Sequence, residues 1–178
     1  MPKVSQAHLD ARRQQIVDAA RARFASHGFA GTSMTDLVAE SGLSIGAIYR
    51  YFSSKDEIVA AICEQSSGAF PTELTADVIQ GFLEHVRTMA RDHDHARLVA
   101  QIYAEAAISP ALGVVVQQQL SALRAAVIDL LPHRKDTDAA RIAEGVVAVS
   151  VGYSQQLAVR GDLDPSPFTT ALMSILDG

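Results

Sequence analysis

The sequence predicts an all-α fold, with a small N-terminal domain built on a helix-turn-helix and a larger helical C-terminal domain. Three observations carry this. Apolar residues recur at three-to-four spacing through successive segments of helical length. Short breaks rich in Gly, Ser, Pro and Asp separate those segments. Strand-like alternation, a Gly-rich phosphate loop and internal repeats are all lacking from the pattern. With 178 residues, 48% of them hydrophobic, the chain is long enough to bury a core as one large or two small domains. It has no long uninterrupted apolar run, which predicts a soluble protein and no membrane partner.

In chain order, residues 1–7 read as a short disordered arm. A first helix is expected from His8 to His27, with Ile16, Ala20 and Phe24 facing the core. Gly28 stops it, and Phe29 plugs the small core beside it. Lys3, Arg12 and Arg13 are placed either to touch a backbone phosphate or to do nothing. Ser33 is the expected N-cap of the next helix, with Asp36 as the acid of a capping box. Leu37 and Val38 mark its inner face and Ser41-Gly42 ends it, because Gly tolerates the left-handed conformation of a helix stop. Leu43 points back inward, and Ser44 caps a second short helix through Ile48 to Phe52. Two short helices joined by such a turn, here 33–52, form a helix-turn-helix whose second helix can enter the major groove of DNA.

After Phe52, Ser54 opens a fourth helix from Lys55 to about Ser66, with Asp56 and Glu57 at the positive end of its dipole. It carries Ile58, Val59, Ile62 and Cys63. Cys63, the single cysteine, excludes an internal disulfide and reads as a small buried hydrophobe rather than a redox sensor. Ser67 to Pro71 marks the boundary between a domain at 8–66 and another at 72–178. Beyond it, helices are expected over Thr72–Arg91, Ala96–Ile108, Pro110–Leu131, Asp138–Arg160 and Ser166–Leu176. The breaks fall at Asp92–His95, Ser109-Pro110, Pro132–Asp136 and Gly161–Pro165.

Within the recognition helix, Ser44, Ile45, Ala47, Tyr49, Arg50 and Tyr51 are the outward candidates, and Gly46 lets the backbone approach DNA closely. Arg50 suits two-point contact with a guanine or a phosphate clamp. Ile45 and Ala47 offer apolar contact to a thymine methyl. The hydroxyls of Tyr49 and Tyr51 suit phosphate oxygens, which fix register without reading sequence. For Tyr51, packing against the first helix explains the residue equally well. Ser33 and Lys55 complete the candidate DNA contacts, Lys55 through its charge or through adjacent amides. The charge distribution agrees. Residues 1–60 hold seven basic and six acidic residues, whereas the rest holds 8 and 14, so the acidic part is not the DNA-facing part.

The stretch GFAGTSMTDLVAESGLSIGAIYRYFSSKDEI, Gly28 to Ile58, resembles the signature of TetR/AcrR-type transcriptional regulators. The likeness covers roughly the first third of the chain and supports the assignments of Tyr49 and Lys55. It implies a homodimer whose C-terminal domain binds a small inducer and dimerises. The chain departs from the pattern at Val38, where the family usually has Ala, and at Ile45, where Lys or Arg is common. The first is a packing change, and the second bears on which operator is read.

The helical body is expected to hold a mostly hydrophobic ligand, with Phe82, Met89, Gln101, Tyr103, Gln117 and Tyr153 as candidate contacts; ordinary core packing is the competing account of each. Asp92-His93-Asp94-His95 reads as a polar interhelical loop rather than a metal site, so no metal and no cofactor are expected. No nucleophile elbow or converging Ser, His and Asp set is present, which argues against an enzyme. Along the long helix, Ile142, Val146, Val149, Tyr153 and Leu157 form an apolar stripe, with Gly145 and Gly152 leaving gaps for another helix. With Phe168 and Leu172 of the last helix, this stripe is the expected homodimer interface. The N-terminal MPKVSQAHLDARRQQ lacks a signal peptide's apolar stretch, which predicts a cytoplasmic protein.

The expected function is a homodimeric repressor. It binds double-stranded DNA at a palindromic operator and is released by a small hydrophobic inducer, with the helix Lys55 to Ser66 as the lever. The alternative is a helical ligand-binding protein or enzyme with no operator-specific DNA binding.

Overall fold

The computed structural model describes residues 5–66, 71–93 and 95–178. Among them all regular structure is helical: α1 Gln6–His27, α2 Met34–Ser41, α3 Ile45–Tyr49, α4 Lys55–Ser66, α5 Ala76–His93, α6 His95–Ala106, α7 Pro110–Asp129, α8 Asp136–Arg160 and α9 Ser166–Asp177. The chain divides into two compact units, Met1–Ser66 and Ser67–Gly178.

In the first unit, α1 packs on α2 and α4. Its inner face buries Ile16, Val17, Ala20 and Phe24 completely, together with Leu37 of α2, Ile48 of α3 and Ile58 and Val59 of α4. Local chemistry sets each start and stop. Ser5 caps α1, so Ser5 to Ala7 belong to the helix and its entry rather than to a free arm; residues 1–4 lie outside the described residues. Ser33 and Asp36 form the full capping box at α2. Gly42 ends that helix with φ 67°, its N–H donating to the Val38 carbonyl, a conformation that β-carbon-bearing residues adopt only with strain. α3 is shorter than expected: it closes at Tyr49, and Tyr51 and Phe52 continue as a turn whose N–H groups donate back to the Ile48 carbonyl.

In the second unit, α8 is the central strut, packed by α5, α6, α7 and α9. Most expected boundaries here move by one or two residues, and the start of α5 moves by four. α5 begins at Ala76 rather than Thr72, and it runs to His93 with α6 starting at His95, so the expected polar break shrinks to one position. Asp94 and the side chains of Asp92 and His93 lie outside the described residues, and with them most of the polar cluster.

The expected dimer stripe is corrected. Ile142, Val146, Tyr153, Leu157 and Leu172 are buried in the core of the single chain, among Ile79, Leu83, Val127 and Leu176. Val149 and Phe168 are half-buried against the same cluster. The gap at Gly145 is filled from within: a β-carbon there would stand 3.2 Å from Ile175 Cγ2 of α9. The stripe is therefore consumed by α5 and α9 of its own chain. α8 is apolar on nearly every side, and periodicity alone does not say which side the chain itself covers.

Candidate nucleic-acid interface

The reading surface is positioned from beneath. Ile48 is fully buried and Phe52 nearly so, which turns the opposite side of α3 outward: Ile45 is 47% and Tyr49 51% exposed, with Ser44, Gly46 and Arg50 exposed beside them. Ser44 is the N-cap, its hydroxyl accepting from the Ala47 N–H at 3.2 Å. No protein atom stands within 4 Å of where a Gly46 β-carbon would be, so the helix surface there is open. Gln15 of α1 donates to the Ser41 carbonyl at 2.7 Å, tying the turn before α3 to the first helix.

A cleft of about 560 Å³ runs beside this surface, lined by His8 and Arg12 of α1 and by Leu43, Ser44, Ala47, Arg50 and Tyr51. It brings three side chains carrying basic groups, His8, Arg12 and Arg50, to one opening. Arg12 thus stands beside Arg50, and the sequence pattern does not single out His8, although its i,i+4 spacing to Arg12 places both on one face of a helix. Arg13 turns away: its guanidinium lies 5.2 Å from the Phe52 ring centroid and 3.6 Å from Glu64. Tyr51 is half-buried in the cleft wall.

Two candidate contacts are engaged within the chain. Lys55 Nζ donates to the carbonyls of Phe29 at 2.7 Å and Thr32 at 2.6 Å, and sits 4.2 Å from the Phe29 ring centroid. The Phe29 ring in turn packs on Phe24, with centroids 5.4 Å apart. The ammonium thus fastens the α1–α2 loop to the start of α4. Ser33 donates its hydroxyl to Asp36 Oδ2 at 2.7 Å and accepts the Asp36 N–H at 3.1 Å. Hydrogen bonds from Ser33 hold the Asp36 carboxyl below its ordinary pKa, and those from Ser53 do the same for Glu57. Near Arg21, burial pushes the Cys63 thiol up, away from the reactive thiolate.

The candidate ligand contacts of the body are spread over α5, α6, α7 and α8. Tyr153 is a core residue: its hydroxyl donates to the Leu163 carbonyl at 3.1 Å, its ring packs on Phe168, and desolvation pushes its pKa up to about 12. Gln117 is exposed on α7. Phe82, Met89, Gln101 and Tyr103 are half-buried on α5 and α6. None of the six lines a cavity of about 300 Å³ that Ala90, Ala96 and Leu157 border on α5, α6 and α8. Among the described residues no group of three or more His, Cys, Asp or Glu is placed to hold a metal ion.

The family model for bacterial regulatory proteins of the tetR family matches residues 16–62, the span from the core of α1 to α4. The chain is similar to HTH-type transcriptional repressor AcnR of Corynebacterium jeikeium, at 28% identity over 90% of this chain and 88% of that one. It is also similar to HTH-type transcriptional regulator YfiR of Bacillus subtilis, at 46% identity over 63 residues. That match spans 35% of this chain and 31% of the relative. Salmonella enterica GusR shares the fold over 99% of this chain and 98% of its own, with a TM-score of 0.76 at 23% identity.

Proposed function

We propose that this chain, which belongs to the tetR family of bacterial regulatory proteins, is a repressor that binds a near-palindromic operator as a homodimer and leaves it when a small molecule occupies the body. Members of this family are transcriptional regulators, not enzymes. The observation that carries the proposal is the outward face of α3. Ile45, Gly46, Tyr49 and Arg50 stand open while Ile48 and Phe52 hold the helix from below. Arg50 is the group for base reading, with His8, Arg12 and the tyrosine hydroxyls on phosphates.

The second copy is supported by α7. An 18-residue stretch of this helix has a mean hydropathy of 1.3, yet only 17% of that stretch is buried within the chain. Val114 and Ile128 lie exposed on it with Ala122 and Ala125 between them, and the ion pair of Arg124 with Glu144 places this face beside the outer side of α8. A two-fold axis over α7 and α8 would cover both at once, building a four-helix contact.

The test is fluorescence anisotropy on DNA upstream of the chain's own coding region, at two salt concentrations, for wild type and Arg50→Ala. Specific, salt-sensitive binding is expected. In the variant the preference over scrambled DNA falls by about 1–3 kcal/mol while non-specific affinity falls much less. Equal losses on both DNAs would remove Arg50 from base reading, and equal wild-type affinity for both would sink the operator reading.

A further inference from the structure

We propose that the outward face of α3 recognises the 5-methyl group of a pyrimidine in the major groove, with Ile45 as the residue that decides it, so that cytosine methylation within the operator is read as well as thymine. The inference rests on reading α3 as the operator-reading helix. Ile45, Gly46, Tyr49 and Arg50 stand exposed, while Ala47 is half-buried and Ile48 buried. Arg50, the C-cap, keeps helical backbone angles of φ −69° and ψ −28°, so it continues the register of the helix. On a helix the positions i, i+1, i+4 and i+5 are the corners of one diamond, the shape of hole that receives a knob from a partner. Two corners here, Ile45 and Tyr49, are large apolar groups left open. The third has no side chain, and no side chain beyond its chain neighbours stands within 4 Å of where a Gly46 β-carbon would lie. The diamond is a shallow apolar hollow with a guanidinium at its fourth corner.

What fits it follows from the chemistry of the groove. Base edges there offer donors and acceptors, and the thymine methyl is the one apolar group that unmodified DNA presents. Ile45 and Gly46 have no side-chain group to pair with a donor or acceptor, so a polar edge held against them gives up water without return. A methyl held there gives up nothing and buries apolar surface on both sides. The Tyr49 ring can wall the hollow while its hydroxyl reaches a phosphate, because the residue is apolar along its body and polar at its tip. His8 and Arg12, which line one cleft with Arg50, turn the same surface toward a polyanion. The group recognised is the methyl and not the base. 5-Methylcytosine carries that group at the same place, so it answers as thymine does.

The probe is the duplex that the full chain selects from a random library. It is remade with each thymidine replaced in turn by deoxyuridine, which lacks only the methyl, and with deoxycytidine or 5-methyldeoxycytidine at the same positions. Affinity is read by fluorescence anisotropy. At one thymidine per half-site the loss on deoxyuridine is expected to be about fourfold, the worth of burying one methyl-sized group, and 5-methyldeoxycytidine is expected to exceed deoxycytidine by a similar factor. Ile45→Ala, at an exposed position, is expected to keep the melting temperature and to bring both ratios below about twofold. Deoxyuridine bound as well as thymidine at every position, no gain from 5-methyldeoxycytidine, or a methyl preference that survives Ile45→Ala would each overturn the proposal. A selected operator indifferent to the methyl sinks this inference alone, whereas the absence of any selected sequence sinks the operator reading and this inference with it.

Discussion

Lys55→Met separates two roles that its position at the start of α4 makes easy to confuse. The ammonium donates to two carbonyls at 2.7 and 2.6 Å, and one of them belongs to Thr32, which is 1% exposed. Hydrogen bonds to a charged group are each worth about 1.5–3 kcal/mol net, and methionine keeps the aliphatic stem over Phe29 while removing both. Partial desolvation of the ammonium offsets some of this, so the net loss for the first unit is about 2–4 kcal/mol. For a unit of this size even the lower figure corresponds to a melting point roughly 8–16 °C lower.

The assay has two arms. Hydrogen exchange of the α1, α2 and α4 amides reports the stability of the first unit, with Arg50→Met as the exposed control. Affinity for a non-specific duplex against salt concentration reports phosphate contacts, since each one contributes about 0.9 to the slope. The structure predicts a large loss of protection and a slope barely changed in the folded fraction. Unaltered protection with a slope lower by about 0.9 would show the ammonium on phosphate and refute the reasoning.

Two further outcomes follow from the body. The bond from Arg87 holds the Asp162 carboxyl at about 2, against about 3.9 when unfolded, so its stabilisation is present above the unfolded value and is lost as pH falls through about 4 to 2. In urea titrations Asp162→Asn is expected to lose less stability than wild type across that window, and equal slopes would refute the coupling. On α7, Ala125→Arg places a charge on an exposed face that the single chain does not need; sedimentation is expected to show monomers with unchanged helicity, and an intact dimer would move the interface elsewhere.

What was legible depended on how far apart in sequence the partners lie. The capping box of Ser33 and Asp36, the stop at Gly42 and the cap at Ser44 are all read within four residues, and the reading surface follows from them. The grip of Lys55 on Phe29 and Thr32 spans 26 and 23 residues, and no local pattern announces it. The dimer stripe failed for a related reason. A helix apolar on nearly every side leaves the choice of covered face to its neighbours, and here α9 fits into the gap at Gly145 before any second copy can.

The same distinction says how the reading helix works. α3 is five residues long, far below the length at which a helix holds itself together in water. Its cap at Ser44 sets where it begins, but its orientation comes from Ile48 and Phe52, both buried in the core of the first unit, and from packing on α2. Anything that loosens that core tilts the face carrying Tyr49 and Arg50 without touching either residue. The ammonium of Lys55 pins the loop that precedes α2, and Gln15 pins the turn that precedes α3. DNA affinity and the stability of the first unit are therefore coupled through buried groups, so substitutions at Lys55 or Gln15 weaken binding in proportion to the stability they remove, whichever DNA sequence is offered.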